Sequence, residues 1–315
     1  MYFNSILETI GKTPLVALDR LAAGLPGRVL VKIEAVNPGA SIKDRAALRI
    51  IEEAEAEGSL KAGGTVVELT SGNMGAGLAI ACAVKGYKMI AVMSAGNSIE
   101  RRKMLIGLGA EVVLVPQAAG SKPGQVSGED LALVEEHTQQ LVKELGAFRP
   151  NQFHNPANAR AHELSTGLEI WEQTEGKVAA FVAIVGSGGT FIGTARALKE
   201  RNPTIKCYAV EPATAAILAG QPITNSSHRL QGAGYNLIPP LWDTALCDGF
   251  LGIGDEEATE TARVLARREG IFGGFSGGAN VAAALRLAKE ATLGDLIVTV
   301  ICDSGLKYLS TDLVE

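Results

Sequence analysis

Cysteine is scarce in this chain, and its spacing excludes the usual cysteine-based sites. The 315 residues include four cysteines, Cys82, Cys207, Cys247 and Cys302. No two of them are close enough to form a CxxC metal or redox motif. Cys82, Cys207 and Cys302 lie in apolar runs, where cysteine usually behaves as a small core residue. We therefore expect no metal site and a reducing, cytoplasmic location.

Basic runs and long apolar runs are also absent. The net charge is −5, from 29 basic and 34 acidic residues, and no basic cluster provides the electrostatic footprint of a nucleic-acid-binding protein. No run reaches the roughly 18 apolar residues that predict a membrane span. Met1 to Leu15 has neither a basic region nor a long apolar stretch, so no signal peptide is expected. We expect neither nucleic acid nor a membrane as a partner.

Strand-like and helix-like segments alternate along most of the chain. Alternation of this kind predicts parallel strands joined by crossover helices. The predicted strands are 28–34, 65–69, 89–93, 111–115, 178–185, 205–210 and 296–302, and the predicted helices are 43–57, 74–85, 98–108, 130–145, 190–200, 256–269 and 278–289. The polar stretch 116–129 is predicted to be a loop, and 214–250 is poorly periodic. The pattern predicts two α/β units with a ligand cleft beyond the carboxyl ends of the strands.

Two polar loops join a strand to a helix in the first half of the chain. The loop from Asn37 to Arg45 contains Lys43, which burial in a cleft would turn into a nucleophilic amine. The alternative is a solvated lysine at the start of a helix. In the second loop, Thr70 to Gly75, hydroxyls and an amide meet a helix N-terminus, which suits an anion. Simple helix capping is the alternative there.

Glycine is abundant, with 37 residues, and it clusters in three later loops. Gly186-Ser-Gly-Gly-Thr190 lets the backbone wrap around a phosphate. A dinucleotide site is the alternative, with Glu211 as the ribose-binding acid, but Phe191 occupies the position where the dinucleotide motif requires glycine. Residues 273–278 and 302–305 are two further glycine-containing turns. Several such loops together predict a small phosphorylated ligand.

These loops occur in segments that resemble the cysteine synthase branch of the pyridoxal-phosphate enzymes, which also includes cystathionine β-synthase. The resemblance covers nearly the whole chain, with eight segments in the family's order. They are IGKTPL, NPGASIKDR, TSGNMG, SIERRKMLIGLGAEVVLVP, QFHNPANARAH, GSGGT, GFSGGAN and DSGLKYLS. The resemblance implies a tryptophan synthase β-like α/β fold of two open, twisted, mainly parallel sheets flanked by helices. It further implies a smaller mobile domain, 41–148, and a larger cofactor-binding domain, 1–40 plus 149–315.

The resemblance also implies roles for individual residues. Lys43 matches the lysine that holds pyridoxal 5'-phosphate as a Schiff base and acts in catalysis, and Asn73 matches the asparagine that bonds the cofactor's 3′-oxygen. Ser304 resembles the serine at the pyridine nitrogen, and Ser276 is a further cofactor-binding residue. The implied phosphate loop is Gly186, Ser187, Gly188, Gly189 and Thr190, and the implied substrate-binding residues are Thr70, Ser71, Gly72, Met74 and Gln152.

The activity implied by the resemblance is β-replacement at a small amino acid. O-acetyl-L-serine would lose acetate to give an aminoacrylate intermediate, with freed Lys43 as the general base. Sulfide would then add to give L-cysteine. The family also implies a homodimer, and some members dock the C-terminal tail of a partner protein in the active site.

Several positions depart from the family pattern. Met74 replaces a threonine in the loop expected to touch substrate, and Asn280 replaces an alanine. Leu306 and Lys307 replace an acid–arginine pair, which we expect at the periphery. The 116–129 loop is longer than usual and is predicted to cap the cleft or to be neutral surface.

Three alternative functions remain open on these residues. Met74 keeps open a related β-replacement or β-elimination on O-phosphoserine, serine or cysteine, of the cystathionine β-synthase or cysteine desulfhydrase type. Glu211 and the Gly186–Gly189 turn keep open a nicotinamide oxidoreductase. A non-catalytic protein that kept the fold is the third. His162 has no partner that the sequence identifies.

Overall fold

The chain folds around two separate β-sheets. The computed structural model describes residues 2–121, 126–226, 228–230, 232–235 and 237–315. The larger sheet has six strands in the order β1-β2-β9-β6-β7-β8, and the smaller has three in the order β3-β4-β5. The strands are β1 Leu15–Ala17, β2 Arg28–Ile33, β3 Thr65–Leu69, β4 Lys88–Ser94, β5 Glu111–Val115, β6 Val178–Ile184, β7 Lys206–Pro212, β8 Gly249–Ile253 and β9 Leu296–Ile301.

Helices separate these strands in the chain and flank both sheets. They are α1 Lys43–Glu57, α2 Asn73–Lys85, α3 Ile99–Gly107, α4 Gly128–Leu145, α5 Ala157–Ala161, α6 Gly167–Gln173, α7 Gly189–Arg201, α8 Asp255–Glu269 and α9 Phe275–Glu290. A π-helical turn, His162–Thr166, joins α5 to α6. Each predicted helix and strand is present, with small shifts at the ends, and the two mainly parallel sheets confirm the predicted fold class. The short edge strand β1 pairs antiparallel to β2.

Four of these helices and strands were not predicted from the sequence: the edge strand β1, strand β8 and helices α5 and α6. Strand β8 lies at the end of the poorly periodic stretch 214–250, and its burial alternates weakly. Helices α5 and α6 lie in 157–173, where polar residues interrupt the apolar pattern. Most residues of α5 are nevertheless buried, including Asn158. Buried polar residues of this kind hide a helix from a reading based on hydrophobic period.

The two sheets divide the core. All three strands of the smaller sheet fall within 41–148, and they pack with apolar side chains of α1 and α2, including Ile50 and Leu78. The larger sheet, built from the rest of the chain, packs against α9 on one side and α7 on the other, through side chains such as Val281 and Ile192. The cleft therefore lies between two α/β units, as the strand and helix alternation predicts.

Strands β6 and β9 pair over only part of their length. Their backbone register ends at Phe181 opposite Val298. Beyond that point, the Thr299 hydroxyl donates to the carbonyl of Val182 at 2.7 Å. The Asn280 side chain then accepts from the Ile184 amide at 2.7 Å and donates to the carbonyl of Val300 at 2.8 Å. Side chains thus replace the missing backbone bonds, because buried backbone groups need partners. The gap between the strands opens at their carboxyl ends.

The described part of the 116–129 loop folds onto the start of α4. Asp130 accepts from the Ala118 amide and the Ser121 hydroxyl, and it forms a reciprocal capping box with Ser127. Lys122 to Gln125 lie outside the described residues, so the prediction that this loop caps the cleft stays a prediction.

Within the described ranges, no helix combines the length and the apolar character needed to cross a bilayer. The four cysteines are free thiols.

Candidate active site

A cavity opens where β6 and β9 separate. It encloses about 620 Å³, with open solvent at its mouth included. In open α/β sheets, ligands bind at the carboxyl ends of strands where neighbouring connections diverge. The lining residues are Ile42, Lys43, Asn73, Ala183, Ile184, Gly186 to Phe191, Gly232, Ala233, Ser276, Val300, Cys302 and Asp303.

Lys43 is the cavity's amine. It is the first residue of α1, directly after Ile42, whose amide donates to the Cys302 carbonyl. Burial lowers the pKa of the Lys43 amine below its ordinary 10.5, with nearby Cys302 acting weakly the other way. A lower pKa increases the share of neutral amine, which is the nucleophilic form. Lys43 is therefore placed and tuned to attack a carbonyl carbon.

The 186–190 loop surrounds the other end of the cavity and leads into α7. Gly188 has φ +89°, and α7 begins there without a side-chain cap. A Cβ on Gly186 would clash with the carbonyl oxygen of Gly232, and one on Gly189 would clash with Asn158. Two glycines are therefore required by close approach and one by its backbone angle. The uncapped amides at the start of α7 suit a phosphate.

Thr190 contacts His162, a histidine for which the sequence identifies no partner. The Thr190 hydroxyl lies 3.3 Å from His162 Nε2, and His162 Nδ1 lies 2.9 Å from the Thr166 hydroxyl. Burial, helped by Arg45 and Lys43, lowers the pKa of His162 well below 6.5. A neutral imidazole therefore supports the loop. His162 lies in the π-helical turn His162–Thr166, and such turns often occur at functional sites. The sequence gives no signal for this turn.

Asn158 links the phosphate loop to the predicted substrate segment. Its Nδ2 donates to the Ser187 hydroxyl at 2.9 Å and to the carbonyl of Gln152 at 2.7 Å. Asn158 was not among the site residues predicted from the sequence. Gln152 itself is partly buried and does not line the cavity.

The 70–74 loop approaches the cavity through Asn73. Helix α2 begins here without a side-chain cap on its first amides. Thr70 is buried, and Arg101 donates to the Ser71 hydroxyl at 3.1 Å. Thr70, Ser71, Gly72 and Met74 do not line the cavity themselves, although Asn73, beside them, does.

Met74 belongs to the apolar core around the smaller sheet and is not among the cavity-lining residues. Its side chain is 3% exposed and packs in the apolar core around the smaller sheet with Leu78 and Leu105. In this chain the methionine acts as core filling, so the loop lacks a hydroxyl at this position.

The structure separates the two serines predicted to bind cofactor. Ser276 lies in the first turn of α9 and lines the cavity. Ser304 does not line it, and its hydroxyl instead accepts from the amide of Leu306. The sequence prediction placed Ser304 at the pyridine nitrogen. The geometry favours Ser276, because only its hydroxyl faces the cavity from a helix start.

Lys307 is not at the periphery, contrary to the sequence expectation. Its Nζ donates to Asn73 Oδ1 at 2.6 Å and to the carbonyl of Gly39 at 2.7 Å. Burial lowers its pKa, while Asp303 and Asp44 act to raise it. The short helical turn after β9 directs this side chain inward, which an exposed-looking charged pair in the sequence does not reveal.

Two charged clusters include the residues that directly follow Lys43 in α1. The first, which we call the Arg45 cluster, consists of Lys32, Glu34, Arg45 and Glu169. Arg45 bonds both oxygens of Glu34 and both oxygens of Glu169, and Lys32 pairs with Glu169 at 2.7 Å. Although burial opposes it, Arg45 and Lys32 lower the pKa of Glu169 to about 2. This cluster joins the start of α1 to β2 and α6.

The second, which we call the Lys307 cluster, consists of Asp44, Asn73, Asp303 and Lys307. Asp44 accepts from the Gly39 amide, and Asp303 accepts from Asn73 Nδ2 at 2.7 Å. One oxygen of each carboxylate, Oδ1, has no hydrogen-bond partner among the residues that the structure describes. Burial raises the pKa of Asp44 to about 6 and raises that of Asp303 as well.

The cavity fits pyridoxal phosphate. A buried, nucleophilic lysine suits the cofactor's aldehyde, and a glycine loop at an uncapped helix start suits its phosphate. Cβ atoms on Gly186 and Gly189 would fill this cradle. Asn73 and Ser276 provide polar groups for the ring between these two ends.

The position of Glu211 argues against the nicotinamide alternative, which needs this acid to bind a ribose. Both oxygens of Glu211 accept backbone amides, from Leu218 at 2.8 Å and Ala219 at 2.9 Å. The carboxylate is buried inside its own loop, so it stabilises a turn and does not face a ribose.

Comparison with known proteins agrees with this geometry. The chain is 44% identical over 312 residues to a cysteine synthase of Staphylococcus aureus, covering 98% of this chain and 96% of that protein. The structure matches O-acetylserine sulfhydrylase isoform 3 of Entamoeba histolytica with a TM-score of 0.92 and 37% identity, over 100% and 92% of the two chains. It matches O-ureido-L-serine synthase with a TM-score of 0.90 and 41% identity, over 99% and 95%.

A family model described as pyridoxal-phosphate dependent enzyme matches residues 6–303. The match includes Lys43, the 186–190 loop and Ser276, which the structure brings together around one cavity. The cofactor is therefore pyridoxal phosphate, which confirms the prediction and not the nicotinamide alternative. The chain belongs to the family of pyridoxal-phosphate dependent enzymes.

Proposed function

We propose that this protein is a cysteine synthase that forms L-cysteine from O-acetyl-L-serine and sulfide. The observation that carries the proposal is the buried, low-pKa amine of Lys43 in a cavity that ends at the glycine loop. The 44% identity to a cysteine synthase over nearly the whole chain supports the same activity.

The chain's residues would divide the work of holding the cofactor, which supplies an electron sink for the substrate's α-carbon. Gly186 to Thr190 would bind the phosphate through backbone amides and hydroxyls. Asn73 would donate to the ring's oxygen. Lys43 would hold the aldehyde carbon and, once released by the substrate, would take the α-proton as general base.

Ser276 is our candidate for the pyridine nitrogen. A neutral hydroxyl there leaves the ring nitrogen largely unprotonated, which weakens the electron sink and favours prompt loss of the β-substituent. Ser276→Ala should therefore change the visible spectrum of the bound cofactor, while Ser304→Ala should leave it unchanged. The opposite result would restore Ser304 to this role.

The start of α2 would bind the substrate's carboxylate. The uncapped amides after Gly72 and the hydroxyls of Thr70 and Ser71 provide donors. Arg101 bonds Ser71 and adds positive charge beside it. Gln152 would close the site from the other side, held by Asn158.

A related β-replacement is the second candidate, and Met74 favours it. The loop lacks the hydroxyl that the family usually places here, and the lost hydrogen bond is worth about 1–3 kcal/mol. O-ureido-L-serine synthase, a structural neighbour, shows that this fold accommodates other products. The alternative donors in this second candidate are O-phosphoserine, serine and cysteine.

The deciding experiment compares initial rates of L-cysteine formation from O-acetylserine, O-phosphoserine and serine with sulfide present, and the rate of sulfide release from cysteine with no sulfide added. We expect kcat/KM for O-acetylserine to exceed the others by at least about tenfold. A higher value for another donor would support the second candidate. Met74→Thr is the matched variant, because it places a hydroxyl at this position. It should change the order of kcat/KM among the four donors only if Met74 determines donor preference.

We also infer a homodimer in a reducing cytoplasm. Phe3, Ile6 and Val16 expose large apolar side chains along the N-terminal segment and edge strand β1, which supports self-association. Four free thiols fit a reducing compartment. Sedimentation of the purified protein, with Val16→Lys as the variant, tests the dimer.

A further inference from the structure

Lys307 lies where the two units of the protein meet. It belongs to the helical turn Gly305–Tyr308, directly after β9 of the larger sheet. Its ammonium reaches Asn73, the first residue of α2 beside the smaller sheet, and the carbonyl of Gly39, four residues before Lys43. A single side chain therefore connects three segments around the cavity.

The contact with Asn73 has a direction. An ammonium group only donates hydrogen bonds, so it must face the oxygen of an amide and not its nitrogen. Asn73 Oδ1 lies 2.6 Å from Lys307 Nζ, and Asn73 Nδ2 consequently points the other way, to Asp303 Oδ2 at 2.7 Å. Nδ2 carries two hydrogens. One is used by Asp303, and the second remains available to a ligand in the cavity that both residues line.

The surroundings hold the ammonium in place. Asp303 and Asp44 lie close enough to raise its pKa, Arg101 acts to lower it, and burial lowers it most. Asp303 is itself fixed, because the Tyr308 hydroxyl donates to its Oδ2 at 2.7 Å. The lysine is therefore part of a rigid polar network and not a mobile surface group.

We propose that Lys307 is a positioning residue that sets the polarity of the Asn73 amide, so that Asn73 presents an N–H donor to the cofactor. The proposal rests on the proposed function only in that Asn73 contacts the cofactor. The family pattern has an arginine at this position, so the single-point contact made by lysine is a property of this chain.

The test measures cofactor binding and not turnover. Lys307→Met, Asn73→Ala and the double variant are prepared as holoenzymes, and the dissociation constant of pyridoxal phosphate and the visible absorption band are recorded for each. We expect Lys307→Met to weaken cofactor binding about tenfold and to shift the band. In the Asn73→Ala background, the same substitution should weaken binding less than about twofold, because its target is gone.

Two variants separate positioning from general stability. Lys307→Gln keeps a polar side chain but can offer either an oxygen or an N–H, so it should shift the band even if Lys307→Met does not fold. Lys199→Met is the matched control, since Lys199 pairs with Asp248 at 2.6 Å and does not line the cavity, and it should change neither readout. Thermal unfolding of each protein checks the fold.

Two outcomes would overturn the proposal. The first is an unchanged band and dissociation constant in both Lys307 variants. The second is an equal effect of Lys307→Met with and without Asn73, which would make the lysine a structural ion only. Failure of the proposed function is distinguishable, because an enzyme that binds the cofactor but does not convert O-acetylserine would leave these binding measurements intact.

Discussion

The two charged clusters beside Lys43 are built from similar groups but differ in how completely they are paired. In the Arg45 cluster, each carboxylate oxygen of Glu34 and Glu169 accepts at least one hydrogen bond. In the Lys307 cluster, Asp44 and Asp303 each keep one oxygen that finds no partner in the described part of the chain. The two clusters share the start of α1, where Asp44 belongs to one and Arg45 to the other.

The difference separates scaffolding from function. A fully paired buried network fixes geometry, because removing any member leaves an uncompensated charge. An incompletely paired network costs stability, and such a cost persists where a ligand or a catalytic step needs the free group. We therefore assign the Arg45 cluster to holding Lys43 in place and the Lys307 cluster to the chemistry of the cavity.

The largest expected effect comes from Lys43, the residue directly before Asp44 and Arg45. Lys43→Ala should reduce turnover at least about 10,000-fold, because the cofactor's anchor and the general base are lost together. The free energy of unfolding of the apoprotein should not fall, since a buried amine is removed. Steady-state rates and urea unfolding check both parts. Turnover within about tenfold of the wild type would contradict the assignment and support a non-catalytic role.

Arg45→Met should produce the largest loss of stability. Removing one partner of this buried network should lower the free energy of unfolding by about 3–5 kcal/mol. Arg286→Met is the matched control, because Arg286 pairs with Glu257 at the surface and should lose no more than about 1 kcal/mol. Urea unfolding at pH 7 measures the free energy of unfolding of both variants. Similar losses in the two would contradict the scaffolding role of the Arg45 cluster.

The same network predicts an acid limb of stability. The pKa of Glu169 is lowered to about 2 from an ordinary 4.5, so its contribution is complete above pH 4.5 and is lost as the pH falls towards 2. This limb should be weaker in Arg45→Met.

Glu68, on β3, is a buried carboxylate outside both clusters, and its pairing is intermediate between theirs. It accepts the Asn151 amide at 2.6 Å, and nearby Arg149 is already bonded to Glu135. Burial raises the pKa of Glu68 to about 7, against an ordinary 4.5. The native state therefore binds this proton more tightly, and stability falls as the pH rises from 4.5 to 7.

Glu68→Gln keeps the acceptor for Asn151 and removes the charge. We expect it to flatten this slope and to stabilise the protein by roughly 2 kcal/mol at pH 8, a fraction of the linkage value. Thermal unfolding between pH 5 and pH 8 checks the prediction, with Glu175→Gln as an exposed control, because Glu175 pairs with Lys177 at the surface. An unchanged slope would show that Glu68 is already charged at pH 5.

The smallest effect is expected in the Lys307 cluster. Asp303→Asn keeps an acceptor for Asn73 and Tyr308 but removes a buried carboxylate, so it should raise stability at pH 8 by about 1 kcal/mol. The raised pKa of Asp303 means that this gain grows as the pH rises above the ordinary 3.8. Cofactor binding should weaken in the same variant. A loss of several kcal/mol would place Asp303 with the scaffold.

The parts of this molecule that follow from local pattern could be predicted. Helix α1 was predicted with its observed bounds, because its apolar residues recur with helical period between a lysine start and Gly58. The 186–190 loop could be predicted because glycine, strand and helix occur in sequence there. Local patterns carry these signals over a few residues, so one sequence is enough.

The contacts that could not be predicted join distant segments. Lys307 and Asn73 are 234 residues apart, and a lysine in a polar turn gives no sign that it is buried. His162 reaches Thr190 only because a π-helical turn rotates it inward. Ser304 and Ser276 have similar glycine-rich surroundings in the sequence, and only the sheet's geometry shows which hydroxyl lines the cavity.

The side chains that bridge β6 and β9 have a consequence for how this site can change. Asn280 and Thr299 complete the hydrogen bonding where the strands part. Asn280 bonds the backbone of Ile184 and Val300, which line the cavity, and Thr299 bonds that of Val182. Substitutions at these two positions offer a short evolutionary route to a deeper or shallower pocket without a new fold.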